Sequence, residues 1–250
     1  MRPLLPLPGS RIAIVGGCGG IGRAFAAAAR EAELRPVVLD LPASLERHPP
    51  EDPSRPIDVT DPDSVRRAFA GFGRLDALVN AAGYAPPRDT VADTGEQVWC
   101  DVIDANLSGA YRVAHAALPL LRAEATPERP SAIVHIASGL ASRLMPGYGA
   151  YGASKAGMIA LTKALAVENA PLVRANAVAP GAVRTEFQSG GLSRPTLNAP
   201  FDEAAYARTV PMGRLAESDD VTGAILFLCS PAAAFITGQT LWINGGGLTP

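Results

Sequence analysis

Tyr151 and Lys155 stand four residues apart in AYGASK, and Ser138 lies thirteen residues before the tyrosine in IVHIASG. On a helix, a four-residue spacing puts both side chains on one face. An ammonium beside a phenol favours the phenolate, so Lys155 is expected to lower the tyrosine pKa from about 10. A tyrosine so placed can give a proton to a carbonyl oxygen or take one from a hydroxyl. Ser138, at the end of an apolar run, can hydrogen-bond the same oxygen. The chain uses only two lysines, Lys155 and Lys163, against twenty arginines. A lysine kept at 155 in so arginine-rich a composition points to a need for a compact ammonium.

A second chemical feature is Gly16-Gly17-Cys18-Gly19-Gly20-Ile21-Gly22, directly after the run RIAIV and before an alanine-rich segment. Glycines permit positive φ and close approach of a ligand to the backbone, and a helix start offers free N–H groups to an anion. Together they form a cradle for a pyrophosphate. Eighteen residues after Gly22, Asp40 ends the next apolar run, where its carboxylate can accept hydrogen bonds from a ribose diol. Neither the loop nor the residues flanking Asp40 offer a lysine or arginine to a 2′-phosphate, which the carboxylate would repel. The reading is therefore NAD rather than NADP.

These residues need a scaffold. Continuous apolar runs at Arg11–Val15, Pro36–Asp40, Ala77–Asn80, Ser131–Ala137, Arg174–Ala179 and Thr240–Ile243 read as parallel strands buried on both faces. Helix-length segments separate them at Ile21–Ala32, Asp63–Gly71, Gly95–Ala125, Tyr151–Ala170, Glu203–Arg208 and Ser218–Cys229. Repeated β-α units of this length predict an α/β fold, a doubly wound parallel sheet in three layers, as one domain over residues 1–250. The proline-rich stretch Leu41–Pro56 is expected to replace a crossover helix with irregular chain. The segment Gln188–Phe201, within a region 186–212, reads as a mobile lid over the substrate.

Composition removes other classes. Of 250 residues, 48% are hydrophobic and 18% charged, too apolar for disorder. The net charge is −2 with no basic block, which argues against nucleic acid or an anionic membrane as partner. Cys18, Cys100 and Cys229 are widely spaced and odd in number, as in reduced intracellular proteins, with Cys100 and Cys229 read as small core residues. Only three histidines are present and none has metal-ligand spacing, so no metal is expected; His135 reads as a core histidine. No apolar stretch approaches the roughly 20 residues that span a bilayer. A cytoplasmic protein is the expectation.

Taken in order, these motifs resemble the short-chain dehydrogenase/reductase family, in its single-domain branch with a Rossmann fold, over Arg11 to Gly246. The glycine spacing at 16, 20 and 22 matches, with Val15 where threonine is common; Asp58-Val59, Asn80-Ala81-Ala82-Gly83, DANLSGAY, AYGASK, NAVAPGAVRT and FITGQTLWINGG follow in family order. The resemblance implies a catalytic tetrad of Asn106, Ser138, Tyr151 and Lys155, with Asn106 kinking its helix and Lys155 also holding the nicotinamide ribose. It implies cofactor contacts from Gly16, Gly19, Gly20, Ile21, Gly22, Asp40, Leu41, Asp58, Val59, Asn80, Ala81, Gly83, Tyr151, Lys155, Pro180, Gly181, Val183 and Thr185. The gaps from Asp40 to Asp58 and from Asp58 to Asn80 are shorter than the family usually has, and Asn244 replaces a more common aspartate. The implied activity is hydride transfer between a secondary alcohol or ketone and NAD, by a homotetramer or a dimer. Rival readings are a 3-oxoacyl-thioester reductase and a non-catalytic NAD-binding regulator. Arg143 and Arg184 are candidate anion contacts in a pocket walled by Gly139–Tyr148.

Overall fold

The computed structural model describes residues 2–189 and 201–248. Seven parallel strands form one sheet in the order β3-β2-β1-β4-β5-β6-β7. They are β1 (Arg11–Val15), β2 (Arg35–Asp40), β3 (Ser54–Pro56), β4 (Ala77–Asn80), β5 (Ser131–Ile136), β6 (Val173–Pro180) and β7 (Thr240–Ile243). The helices are α1 (Gly20–Glu31), α2 (Pro42–Arg47), α3 (Pro62–Phe69), α4 (Glu96–Ile103), α5 (Gly109–Arg122), α6 (Gly149–Asn169), α7 (Glu203–Ala207) and α8 (Ser218–Cys229).

Side chains of a strand alternate between faces, so a strand covered on both sides reads as an unbroken apolar run. In β1, Ile12 and Ile14 join Phe25, Ala26, Val221 and Ile225 of α1 and α8 on one face. Ala13 and Val15 join Val113, Ala117 and Leu121 of α5 on the other. Burying one such aliphatic side chain contributes about 1.5–3 kcal/mol, and both layers draw on it. Strand order reverses between β1 and β4, which opens a crevice at their carboxyl ends. The loops carrying Gly16 and Ala81-Ala82 meet there.

Two expectations need correction. The stretch 41–56 is not wholly irregular: α2 and the three-residue β3 lie within it. Pro42 supplies the fixed φ that suits a first helical turn, and β3 sits at the sheet edge, where Pro56 lacks no ladder partner. The helix expected over 95–125 is divided, because a π-helical turn, Asp104–Ser108, separates α4 from α5. The segment read as a lid, Gln188–Phe201, lies almost wholly outside the described residues.

Candidate active site

The glycine loop turns from β1 into α1, whose first turn has neither a side-chain cap nor an acidic residue. Its leading N–H groups are therefore open to an anion. Gly16 has φ +76°, and a Cβ there would lie 2.5 Å from the Ala82 nitrogen. A side chain on Gly22 would collide with the Gly16 carbonyl oxygen. These positions tolerate only glycine, and the backbone is bare where a diphosphate needs it.

Asp40 closes this end of the crevice. Its carboxylate accepts N–H bonds from Cys18 and Leu41, both at 2.8 Å, and burial raises its pKa. Arg23 touches the loop too, but donates to the Cys18 carbonyl at 2.7 Å and faces Glu186 at 3.6 Å. The buried Cys18 thiol is pushed up to about 12, by burial first and then by Asp40, so it is an inert space-filler. Asp58 accepts from the Thr60 hydroxyl at 2.6 Å, and Arg112 ties the Val59 carbonyl (3.1 Å) to Asp104 (2.7 Å).

At the other end, Tyr151 and Lys155 rise from the first turns of α6, both buried. Ser138, which follows β5, lines the same cavity, and its hydroxyl favours the ionised form of Tyr151. Lys155 Nζ donates to the Ile136 carbonyl at 2.8 Å and lies 5.8 Å from the Tyr151 ring centroid. The expected lowering of the phenol pKa is not found in this cleft. Burial pushes Tyr151 up to about 12, and the same burial takes Lys155 down to about 8. Desolvation disfavours each charged form, and it is the largest cause of both shifts.

Asn106 sits in the π turn and spends its amide on the neighbouring chain. Oδ1 accepts from Tyr84 N at 2.9 Å, while Nδ2 donates to Tyr84 O at 2.9 Å and Ser154 Oγ at 3.0 Å. It fastens the loop after β4 to α6.

A single cavity of about 700 Å³ joins the two ends. It is lined by every expected cofactor residue except Asn80, and by Ser138 of the expected tetrad together with Tyr151 and Lys155. Asn80 is buried and accepts from Ala82 N at 3.2 Å, shaping the turn rather than facing the cavity. Asn106 likewise stands behind the wall. Arg184 is also absent from the lining; it pairs with Glu203 at 2.6 Å and Glu217 at 3.0 Å. Cys100, expected in the core, is exposed on α4. The cavity also has members that no motif signalled, among them Tyr84, Arg88 and Tyr206. Tyr206 accepts from Ala182 N at 2.9 Å, and its only trace in the sequence is one tyrosine in an alanine-rich helix.

A doubly wound sheet with a bare glycine loop at its switch point and a buried tyrosine–serine pair across the same cavity defines a dinucleotide-dependent oxidoreductase. A family model described as "Enoyl-(Acyl carrier protein) reductase" matches residues 16–247. A 3-oxoacyl-[acyl-carrier-protein] reductase of Chlamydia muridarum is 36% identical over 197 residues, covering 76% of this chain and 74% of that protein. An uncharacterised short-chain type dehydrogenase/reductase of Sinorhizobium fredii is 36% identical over 256 residues; the alignment covers 97% of this chain but only 44% of that longer protein. A 3-ketoacyl-(acyl-carrier-protein) reductase of Brucella melitensis, solved with NADH, superposes with a TM-score of 0.83 at 29% identity, covering 96% of this chain and 98% of that one. The chain belongs to the short-chain dehydrogenase/reductase family, whose members act on CH–OH or keto groups with a nicotinamide cofactor. Among the described residues, no helix is long and apolar enough to cross a membrane.

Proposed function

We propose that this protein catalyses NAD-linked interconversion of a secondary alcohol and its ketone, as a homotetramer. The observation that carries this reading is that Ser138, Tyr151 and Lys155 line one end of a cavity that has the glycine loop and Asp40 at the other. Bound nicotinamide supplies the hydride acceptor or donor. Gly16 to Gly22 would hold its diphosphate, and Asp40 would accept from its adenosine ribose. Tyr151 moves the proton at the substrate oxygen. With its pKa well above neutrality, it holds that proton at pH 7 and is poised to donate it to a carbonyl. Ser138 orients the same oxygen. Lys155, close to titration at neutral pH, places a positive charge behind the phenol, and Asn106 is a positioning residue. The NADH-bound relative and the Asp40 carboxylate both support NAD.

A second reading is reduction of a 3-oxoacyl thioester, favoured by the similarity to acyl-carrier-protein reductases. Absorbance at 340 nm with NAD or NADP, against alcohols, ketones and an acyl-carrier thioester, decides between the two. Tyr151→Phe should lower kcat by about 10²–10⁴-fold while leaving NAD binding nearly intact. Retention of more than about a tenth of the activity would show that another group moves the proton.

A further inference from the structure

We propose that Arg88 and Arg143 form an anion-binding rim on the substrate side of the cavity, and that the substrate carries a carboxylate in addition to its reacting alcohol or ketone. The proposal rests on Tyr151 as the group that acts on the substrate oxygen.

Both arginines line the cavity that holds Tyr151 and Ser138. Arg184 and Arg214 spend their charge on carboxylates outside the cavity lining, whereas neither Arg88 nor Arg143 has an ion-pair partner among the described residues. Arg143 Nη1 donates to the Gly247 carbonyl at 3.1 Å, which uses one of five guanidinium N–H donors. The Arg88 guanidinium lies 5.1 Å from the Tyr148 ring centroid, and that ring stands 6.5 Å from the ring of Tyr151. It is one aromatic side chain removed from the reacting position.

The carboxylates that share the lining are engaged elsewhere. Asp202 caps α7 through Ala205 N, Glu186 faces Arg23 and His48, Asp58 holds Thr60, and Asp40 holds the glycine loop. Among the described residues, no carboxylate forms an ion pair with the rim.

The two arginine-bearing loops are also laced together. Asp89 and Tyr148 form a parallel β-bridge. Gly147, at φ +84°, leaves room for Arg88, whose Cβ would otherwise meet a side chain at 2.9 Å. The remaining wall on this side is apolar and aromatic, through Leu140, Met145, Tyr148 and Phe187. A neutral substrate would satisfy that wall and leave both guanidiniums unused. A carboxylate can take two charge-assisted hydrogen bonds from such a fork. Because both side chains are exposed, water screens the attraction, and the expected preference is of order tenfold.

The test compares hydroxycarboxylates of three to ten carbons with their methyl esters at saturating NAD, in wild type and in the double variant Arg88→Gln/Arg143→Gln. The wild type should prefer the acids by at least about tenfold in kcat/KM, and the variant should lose that preference through a raised KM for the acids. Gly147→Ala, which crowds Arg88, should weaken the preference in the same sense. Equal use of acid and ester by the wild type overturns the proposal, as does an equal loss of both in the variant. If the double variant affects only a 3-oxoacyl carrier-protein thioester, the rim reads the carrier's anionic group and the substrate carboxylate is refuted. Should neither acid nor ester turn over, calorimetric titration of benzoate and benzamide into the NAD-loaded protein decides the rim, and Tyr151→Phe on an active alcohol decides the Tyr151 reading separately. Tighter benzoate binding that the double variant abolishes supports it, whereas equal affinities refute it.

Discussion

Asp40 shows how one carboxylate can serve structure and selectivity together. Its two oxygens take the N–H groups of Cys18 and Leu41, so its position is fixed by the loop that it helps to hold. Removing the whole side chain would unfasten that loop as well as remove the charge. Asp40→Asn keeps an acceptor for one N–H group and removes the repulsion of a 2′-phosphate. We expect the asparagine variant to gain about tenfold in kcat/KM with NADP, or about 1.4 kcal/mol, and to lose less NAD activity than Asp40→Ala. Equal use of NAD and NADP by the wild type would falsify the carboxylate argument. The types and order of Ser138, Tyr151 and Lys155 were legible in the sequence, because strand-end and helix-face spacing follow from local geometry. The phenol's protonation was not. Spacing gives proximity to a charge, while the raised pKa comes from burial by residues far away in the chain.

Elements explain what pattern reading missed and why it otherwise succeeded. β1 and β4 begin and end where their apolar runs do, since a buried parallel strand has no polar side to blur its limits, whereas β7, read as buried on both faces, is a partly exposed edge strand. β3 has no such run, because it pairs only with β2 and is half solvated. The π turn at Asn106 was equally silent in hydrophobic periodicity, although the asparagine marked the place; extra residues inserted in a helical ladder often coincide with functional sites. His135 on β5 carries a prediction at this scale. It is fully buried, its Nδ1 lies 2.9 Å from Thr162 Oγ1, and its Nε2 has no hydrogen-bond partner among the described residues. Burial, reinforced by Lys155, lowers its pKa from 6.5 to about 4. The folded state thus binds fewer protons than the unfolded chain between those values, and stability must fall as pH drops through that window. The loss from pH 7 to pH 5 should be about 2 kcal/mol per chain. Thermal melts at both pH values should show a drop of several degrees in the wild type that His135→Leu largely removes. An identical drop in the variant would assign the acid sensitivity to other groups.

Among the described residues, two of the places that expose apolar surface suit self-association. One is the helical face of α4, α5 and α6, where Trp99, Tyr111 and Val167 are exposed, the last by 81%. The other is the β7 edge. At the opposite edge, β3 is three residues long and ends in Pro56, which blunts it against further pairing. β7 has no such protection: its residues are Thr240, Leu241, Trp242 and Ile243, and the loop before it presents a fully exposed Phe235. An apolar, unpaired edge beside an exposed aromatic ring is a liability in a monomer and an asset in an assembly. Two distinct self-complementary patches, each closed by its own two-fold axis, generate a tetramer of D₂ symmetry. Light scattering at micromolar concentration should give four times the chain mass of 25.8 kDa. Phe235→Glu places a charge on the second patch alone, so it should yield a dimer still joined through α4, α5 and α6. A monomeric wild type would refute both interfaces, and a tetramer that survives Phe235→Glu unchanged would remove the β7 edge from the assembly.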